Sequence, residues 1–176
     1  MNKLFIVSGP SGSGKTTIMR SLMNNEIISF TTRPKRRNEV DGKDYIFITK
    51  EQFHKLLNSN GLIEHTEYGG NYYGVTKEEF ENKLNKGDAF FIADYNGMKQ
   101  VKQIYPYCET IFIYVKKEDA ERNMRERGDS EEFIQKRLST YEDEIDNLIY
   151  YDHVVVNNYN ELEETIEKVR LIIQGG

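Results

Sequence analysis

Residues 4–16 read Leu4-Phe5-Ile6-Val7-Ser8-Gly9-Pro10-Ser11-Gly12-Ser13-Gly14-Lys15-Thr16. A short apolar run, a glycine-rich turn of the form G-x-x-x-x-G-K-[ST] and a helix-compatible stretch follow one another in the order that a phosphate-binding loop requires. The glycines let successive backbone N–H groups point inward at an anion, and the start of the helix adds partial positive charge. On this reading Gly9, Pro10, Ser11, Gly12, Ser13, Gly14, Lys15, Thr16 and Thr17 form the ATP-binding stretch. Lys15 reaches the β- and γ-phosphates, and the Thr16 hydroxyl is the candidate Mg²⁺ ligand. Such loops serve GTPases, ATPases and small-molecule kinases alike, so the reaction must be read elsewhere.

The rest of the chain supports the fold this loop implies. Apolar runs at residues 4–7, 89–93, 111–115 and 154–156 have the length of buried strands and are separated by amphipathic stretches, which predicts an α/β protein with a parallel sheet. Thr49-Lys50-Glu51-Gln52 and Thr76-Lys77-Glu78-Glu79 have the capping-box form of helix starts, with Gly61 and Gly87 as stops. Residues 45–48 and 62–73 read instead as strands of a half-exposed antiparallel sheet, an inserted lobe. Residues 122–137 are charged, contain Gly128 and are too poor in apolar residues to enter a core, which predicts a helical lid. The 176 residues contain no internal repeat and only three prolines, so one domain with local insertions is expected. Its core comprises residues 1–30 and 88–176, its inserted lobe residues 31–87 and its lid residues 122–140.

Composition excludes several functions. Lys+Arg 24 against Asp+Glu 29 leave a net charge of −5, which argues against general electrostatic binding of nucleic acid. One cysteine, Cys108, permits no intramolecular disulfide, and three scattered histidines have no metal-ligand spacing. No apolar run approaches a membrane span and the start lacks a signal-peptide core, so a cytoplasmic setting is expected. A polyanionic ligand must then meet local clusters of cations. Arg33, Lys35, Arg36 and Arg37 form one, readable on its own as a solvated face or as an anion site. Its neighbours, from Ser29 through Thr31, Thr32 and Glu39 to Tyr45, add hydroxyls and a phenol suited to a phosphate monoester.

Here the sequence resembles the guanylate kinase family, whose acceptor site carries a T-T-R-x-x-R-x-x-E-x-x-G-x-x-Y segment. Glu64, the run Gly70-Asn71-Tyr72-Tyr73-Gly74, the turn Asp94-Tyr95-Asn96-Gly97, Arg127-Gly128 with Arg137-Leu138, and the strand ending at Asn157 extend the resemblance over nearly the whole chain. It implies a P-loop NTPase fold with a small mixed or antiparallel nucleoside-monophosphate lobe and a helical lid. It implies ATP-dependent phosphorylation of a purine nucleoside monophosphate, GMP or dGMP foremost, with Mg²⁺ accompanying ATP. Ser29, Arg33, Arg36, Tyr45 and Tyr73 would hold the acceptor phosphate and Glu64 would read the guanine N1–H and N2 amino group, with Asp94 beside the acceptor. Lys15, Arg33, Arg36, Arg127 and Arg137 would neutralise the transferred group, and Asn157 would border the adenine. Partners would be these two nucleotides, with no nucleic acid or membrane, in a monomer or homodimer.

Taken singly, these residues have plainer readings: Glu64 as an exposed strand carboxylate, Asp94 as a helix cap. The chain also departs from the family pattern. Val75 stands where a hydroxyl commonly donates to guanine O6, and it is carried as a base-facing position without a donor. Ile92 replaces a carboxylate. Asn123 replaces an arginine, for which Arg122 or Arg125 is a candidate substitute. The alternatives are a kinase for another (deoxy)nucleoside monophosphate or a ribose bisphosphate, and a non-catalytic binding module, which would have no need of Lys15. A regulatory GTPase is disfavoured because no Asn-Lys-x-Asp element follows the later strands.

Overall fold

The structure is a computed structural model that describes residues 2–68 and 70–175. In chain order its elements are β1 (Leu4–Ser8), α1 (Lys15–Leu22), β2 (Glu26–Ile27), β3 (Phe30–Thr31), β4 (Ile46–Phe47), α2 (Lys50–Asn58), β5 (Leu62–Tyr68), β6 (Asn71–Thr76), α3 (Lys77–Lys86) and β7 (Ala89–Ile92). There follow α4 (Tyr95–Ile104), β8 (Glu109–Tyr114), α5 (Lys117–Glu126), α6 (Glu131–Ser139), α7 (Tyr141–Asp146), a 3-10 turn at Asn147–Tyr150, β9 (His153–Val156) and α8 (Leu162–Gln174). The chain forms two compact units: Met1–Leu4, Asn25–Phe91 and Asn96–Cys108 make one, and Phe5–Asn24, Ile92–Tyr95 and Glu109–Gly176 the other. No helix among the described residues is long and apolar enough to cross a membrane.

In the unit that carries the phosphate loop, β1 pairs with β8 and β8 with β9, all parallel. Phe5, Ile6, Val7, Ile111 and Ile113 are fully buried, as the unbroken apolar runs require of strands covered on both faces. Thr110 and Asp152 lock the start of β8 to the approach to β9: the Thr110 hydroxyl donates to the Asp152 carboxylate at 2.7 Å and accepts from the Asp152 N–H at 2.9 Å. Helix α1 packs on α8. The segment read as a lid folds as α5 and α6, and contrary to the sequence reading it does contribute to a core. Met124 and Ile134 are buried, because Ala120 and Met124 lie four residues apart on one face of α5 and α6 turns Ile134 inward.

In the other unit, β2 pairs in parallel with β7. A four-stranded sheet has the order β4-β3-β6-β5. It is mixed rather than purely antiparallel: β3 runs parallel to β4 and antiparallel to β6, and β5 and β6 form a hairpin. The parallel step arises because the connection that carries the arginine cluster is long enough to bring the chain back in the same direction. Helix α2 begins at Thr49 with the complete capping box, and Thr76 caps α3 by accepting the Glu79 N–H. Gly61 does not stop α2. The helix ends at Asn58, and Asn60 takes the left-handed conformation, φ 53, which Asn tolerates better than most residues. Gly87 does end α3, whose last carbonyls and those just beyond accept from the Asn25 side chain at Lys83 (2.8 Å) and Gly87 (3.3 Å).

Candidate active site

The loop from Gly9 to Thr16 joins β1 to α1. Its turn is closed by the Ser13 N–H donating to the Pro10 carbonyl at 3.1 Å, and Gly14 caps the helix in the left-handed conformation, φ 82. Gly12 is confined further: at φ 80, an added Cβ would stand 2.5 Å from the Ala120 carbonyl oxygen. Only glycine meets both conditions at this point. The Lys15 ammonium folds back and donates to the Pro10 carbonyl at 3.1 Å. Removal from water pushes its amine down to about 8; Arg137 and Arg127 act in the same direction and Glu144 opposes them.

Two side chains from distant positions hold the loop. Asn157, 6% exposed, donates through Nδ2 to the Ser13 carbonyl at 3.0 Å and accepts from the Thr165 hydroxyl at 2.9 Å. Both ends of its amide are engaged within the protein, and through them Asn157 supports the loop. Asn123 donates to the Gly12 carbonyl at 2.8 Å. The expected stand-ins lie elsewhere: Arg122 covers the Tyr159 ring at 4.2 Å, and Arg125 pairs with Glu121 and Glu131. Nothing local in the sequence marks Asn123 for this contact; its place on α5 does.

The structure brings both lid arginines to this loop's surroundings. Arg137 Nε donates to the Ser11 hydroxyl at 2.7 Å, and its guanidinium pairs with Glu144 at 3.3 Å. Arg127 pairs with Asp129, Nε donating at 3.1 Å, and is close enough to Lys15 to disfavour its charge. Lys15, Arg127 and Arg137 therefore form a convergent cationic group beside backbone donors, which is what a polyphosphate needs. Asp94 lies between the end of β7 and the start of α4, at the carboxyl end of a strand, where sheets of this class present ligand-binding side chains.

The residues expected to hold the acceptor, Asp94 apart, lie in the other unit. Glu39 accepts from both terminal nitrogens of Arg33, at 2.6 and 3.0 Å, and from the Arg36 N–H at 2.8 Å. Burial works to raise the Glu39 carboxyl, but the Arg33 hydrogen bond and the Arg36 N–H outweigh it and hold it below the usual range. The Arg33 guanidinium lies 5.5 Å from the centroid of the Tyr45 ring, and Tyr45 meets Tyr73 edge-on at 5.9 Å. Burial, and then Tyr73, raise the Tyr45 phenol, so it stays a hydrogen-bond donor. Of the basic cluster only Arg33 is packed; Lys35, Arg36 and Arg37 are exposed. Ser29 passes its carbonyl to the Ile46 N–H at 3.0 Å, which ties the start of the segment to its end.

Glu64 and Val75 are directly opposite one another on β5 and β6. Because β-strand side chains alternate, Val75 shares its face with Tyr73, and cross-strand pairing puts Glu64 there too. Glu64 is 5% exposed and Val75 0%, so Glu64 is not an exposed strand carboxylate. Tyr72 and Gly74 face α2, where Tyr72 stacks on Phe53 at 5.1 Å.

A parallel-stranded α/β fold with a strand-loop-helix anion site ringed by Lys15, Arg127 and Arg137 defines a P-loop nucleotide-binding protein. Shikimate kinase from Bacteroides thetaiotaomicron shares that fold at a TM-score of 0.50 and 15% identity, covering 99% of each chain. The guanylate kinase family model matches residues 1–175, and the chain belongs to that family. The guanylate kinase of Oceanobacillus iheyensis is 38% identical over 97% of this chain and 86% of its own, and that of Zymomonas mobilis 39% over 97% and 82%. The crystal structure of guanylate kinase from Anaplasma phagocytophilum superposes with a TM-score of 0.78 at 28% identity, covering 99% of this chain and 85% of that one.

Proposed function

We propose that this protein transfers the γ-phosphoryl group of ATP to the phosphate of GMP or dGMP. The observation that carries the reading is the buried Glu64 carboxylate on the sheet face of Tyr73, in a chain that also holds an intact phosphate loop. Glu64 can accept the guanine N1–H and N2 amino protons together, whereas adenine offers an unprotonated N1 and no N2 amino group. Ser29, Arg33, Arg36, Tyr45 and Tyr73 bind the acceptor phosphate; the loop from Gly9 to Thr17 binds ATP. Asp94 serves the acceptor side.

The acceptor phosphate, with a second pKa of about 6, is already largely ionised at neutral pH and needs no general base. One of its oxygens attacks the γ-phosphorus in line, the bond from that phosphorus to the β,γ-bridging oxygen breaks, and ADP leaves with the electron pair. The work of the protein is to bring two mutually repelling polyanions into line and to neutralise the charge that spreads over the transferred group. Lys15, Arg127 and Arg137 do this on the donor side, and Arg33 and Arg36 on the acceptor side. Among the described residues no cluster of three or more His, Cys, Asp or Glu could hold a metal ion. Thr16, the second residue of α1 and the neighbour of Lys15, would be the protein ligand of a Mg²⁺ otherwise held by nucleotide phosphates, since Mg²⁺ commonly keeps few protein ligands. When bound, the ion supplies charge neutralisation at the phosphates.

An ATP-coupled assay against a panel of ribo- and deoxynucleoside monophosphates tests the reading. GMP and dGMP turn over fastest, and Lys15→Met abolishes transfer while the melting temperature stays within a few degrees. Faster turnover of another acceptor would move the assignment to that nucleotide, an outcome to which the donorless Val75 gives a physical basis. Full turnover in Lys15→Met would remove the mechanism.

A further inference from the structure

Glu144 lies on the first turn of α7, and its carboxylate stands among the cations of the phosphate loop. An acidic group there opposes the binding of an anion, so its presence calls for a compensating role. Three contacts define that role. The Thr140 hydroxyl, which sits 3.1 Å from the Arg137 carbonyl, donates to Glu144 Oε1 at 2.9 Å. The same oxygen pairs with Arg137 Nη2 at 3.3 Å. Arg137 Nε in turn donates to Ser11 within the loop at 2.7 Å. A guanidinium is planar, so holding it at Nε and at Nη2 fixes both its place and its plane. Neighbouring Glu142 points elsewhere, pairing with Lys117 at 3.1 Å.

We infer that Glu144 is a positioning residue for phosphoryl transfer, anchored on Thr140 and holding the Arg137 guanidinium in the plane in which it meets the transferred group. This rests on the reading of the loop as the ATP site. Two consequences have opposite signs. Without the Glu144 charge, the loop's cations attract ADP or ATP at least as strongly as before. Arg137, without the Glu144 contact at Nη2, samples orientations that miss the transition state, and small misplacements of catalytic groups are costly in rate.

The test is Glu144→Gln, which keeps the side-chain volume and an oxygen for the Thr140 hydroxyl, set against Glu142→Gln, which removes the same charge one turn face away. Steady-state rates with ATP and GMP, calorimetric ADP binding and melting temperature are measured for both. Glu144→Gln lowers kcat at least tenfold while ADP binds as tightly as to wild type or tighter, GMP KM stays within twofold and the melting temperature stays within about 3 °C; Glu142→Gln leaves all four values near wild type. Because Glu144 acts through Arg137, the double variant Glu144→Gln/Arg137→Ala is no slower than Arg137→Ala alone. A kcat for Glu144→Gln within twofold of wild type, or losses that multiply in the double variant, would overturn the inference. Absence of GMP phosphorylation by the wild-type protein would remove the parent reading as well, and is visible without any variant.

Discussion

The side-chain amide of Asn157 donates to the main-chain carbonyl of Ser13 at 3.0 Å, so the end of β9 props the phosphate loop from behind. Asn157→Ala leaves the Ser13 carbonyl and the Thr165 hydroxyl without that partner in a buried place. The expected loss is about 2 kcal/mol of folding stability in urea denaturation, together with weaker ADP binding in calorimetry. Unchanged ADP affinity would show that the loop keeps its shape unaided.

Gly12 reports on the same loop from its front. At φ 80 with the Ala120 carbonyl 2.5 Å from any added Cβ, Gly12→Ala must move either the loop or the start of α5. The left-handed conformation alone costs a non-glycine residue about 1–2 kcal/mol, and the overlap adds to it. ADP affinity is expected to fall by more than tenfold while GMP binding, proposed chiefly for Arg33, Tyr45 and Glu64 in the other compact unit, changes little. Equal losses for both nucleotides would mean that the whole protein is disturbed.

Glu39 makes the acceptor segment sensitive to acid. Its folded carboxyl titrates below the ordinary value of 4.5 because Arg33 and the Arg36 N–H outweigh burial. The folded state therefore binds this proton less readily than the unfolded chain. The stability that Glu39 contributes is present above the unfolded value and is lost as pH falls through the lowered folded one. Glu39→Gln should flatten the fall in melting temperature below about pH 4.5 and raise the KM for GMP at neutral pH, since Arg33 loses its bidentate partner. An unaltered acid profile would show that the ion pair is not maintained in solution.

The parts of this site that were legible in the sequence are those set by neighbours along the chain. The strand, glycine turn and helix start around Lys15 occupy thirteen consecutive residues, and Thr49 caps α2 through a residue three positions away. Asn157 and Ser13 are 144 positions apart, and Asn123 and Gly12 111. Such pairs are made by tertiary folding and leave no periodicity behind. The β3 and β4 pairing escaped for a related reason: each strand has two residues, too few to alternate visibly, and the basic segment between them reads as loop. Resemblance to a family suggested the base-reading role proposed for Glu64, but only the cross-strand register put Val75 directly opposite it.

That register makes Val75 the sharpest test of base recognition. Its side chain is fully buried against the face that carries Glu64, and valine offers no hydrogen. Val75→Thr keeps the shape and introduces a hydroxyl, which without ligand must be buried with no assured acceptor; the expected cost is about 1–3 kcal/mol in melting or urea experiments. When guanine is bound, its O6 can accept that hydroxyl, while the adenine 6-amino group cannot. GMP should therefore restore more stability to the variant than to wild type, and the ratio of kcat/KM for GMP over AMP should rise by about tenfold. If the variant is destabilised but that ratio is unmoved, position 75 lines the sheet without touching the base, and selectivity rests on Glu64 alone.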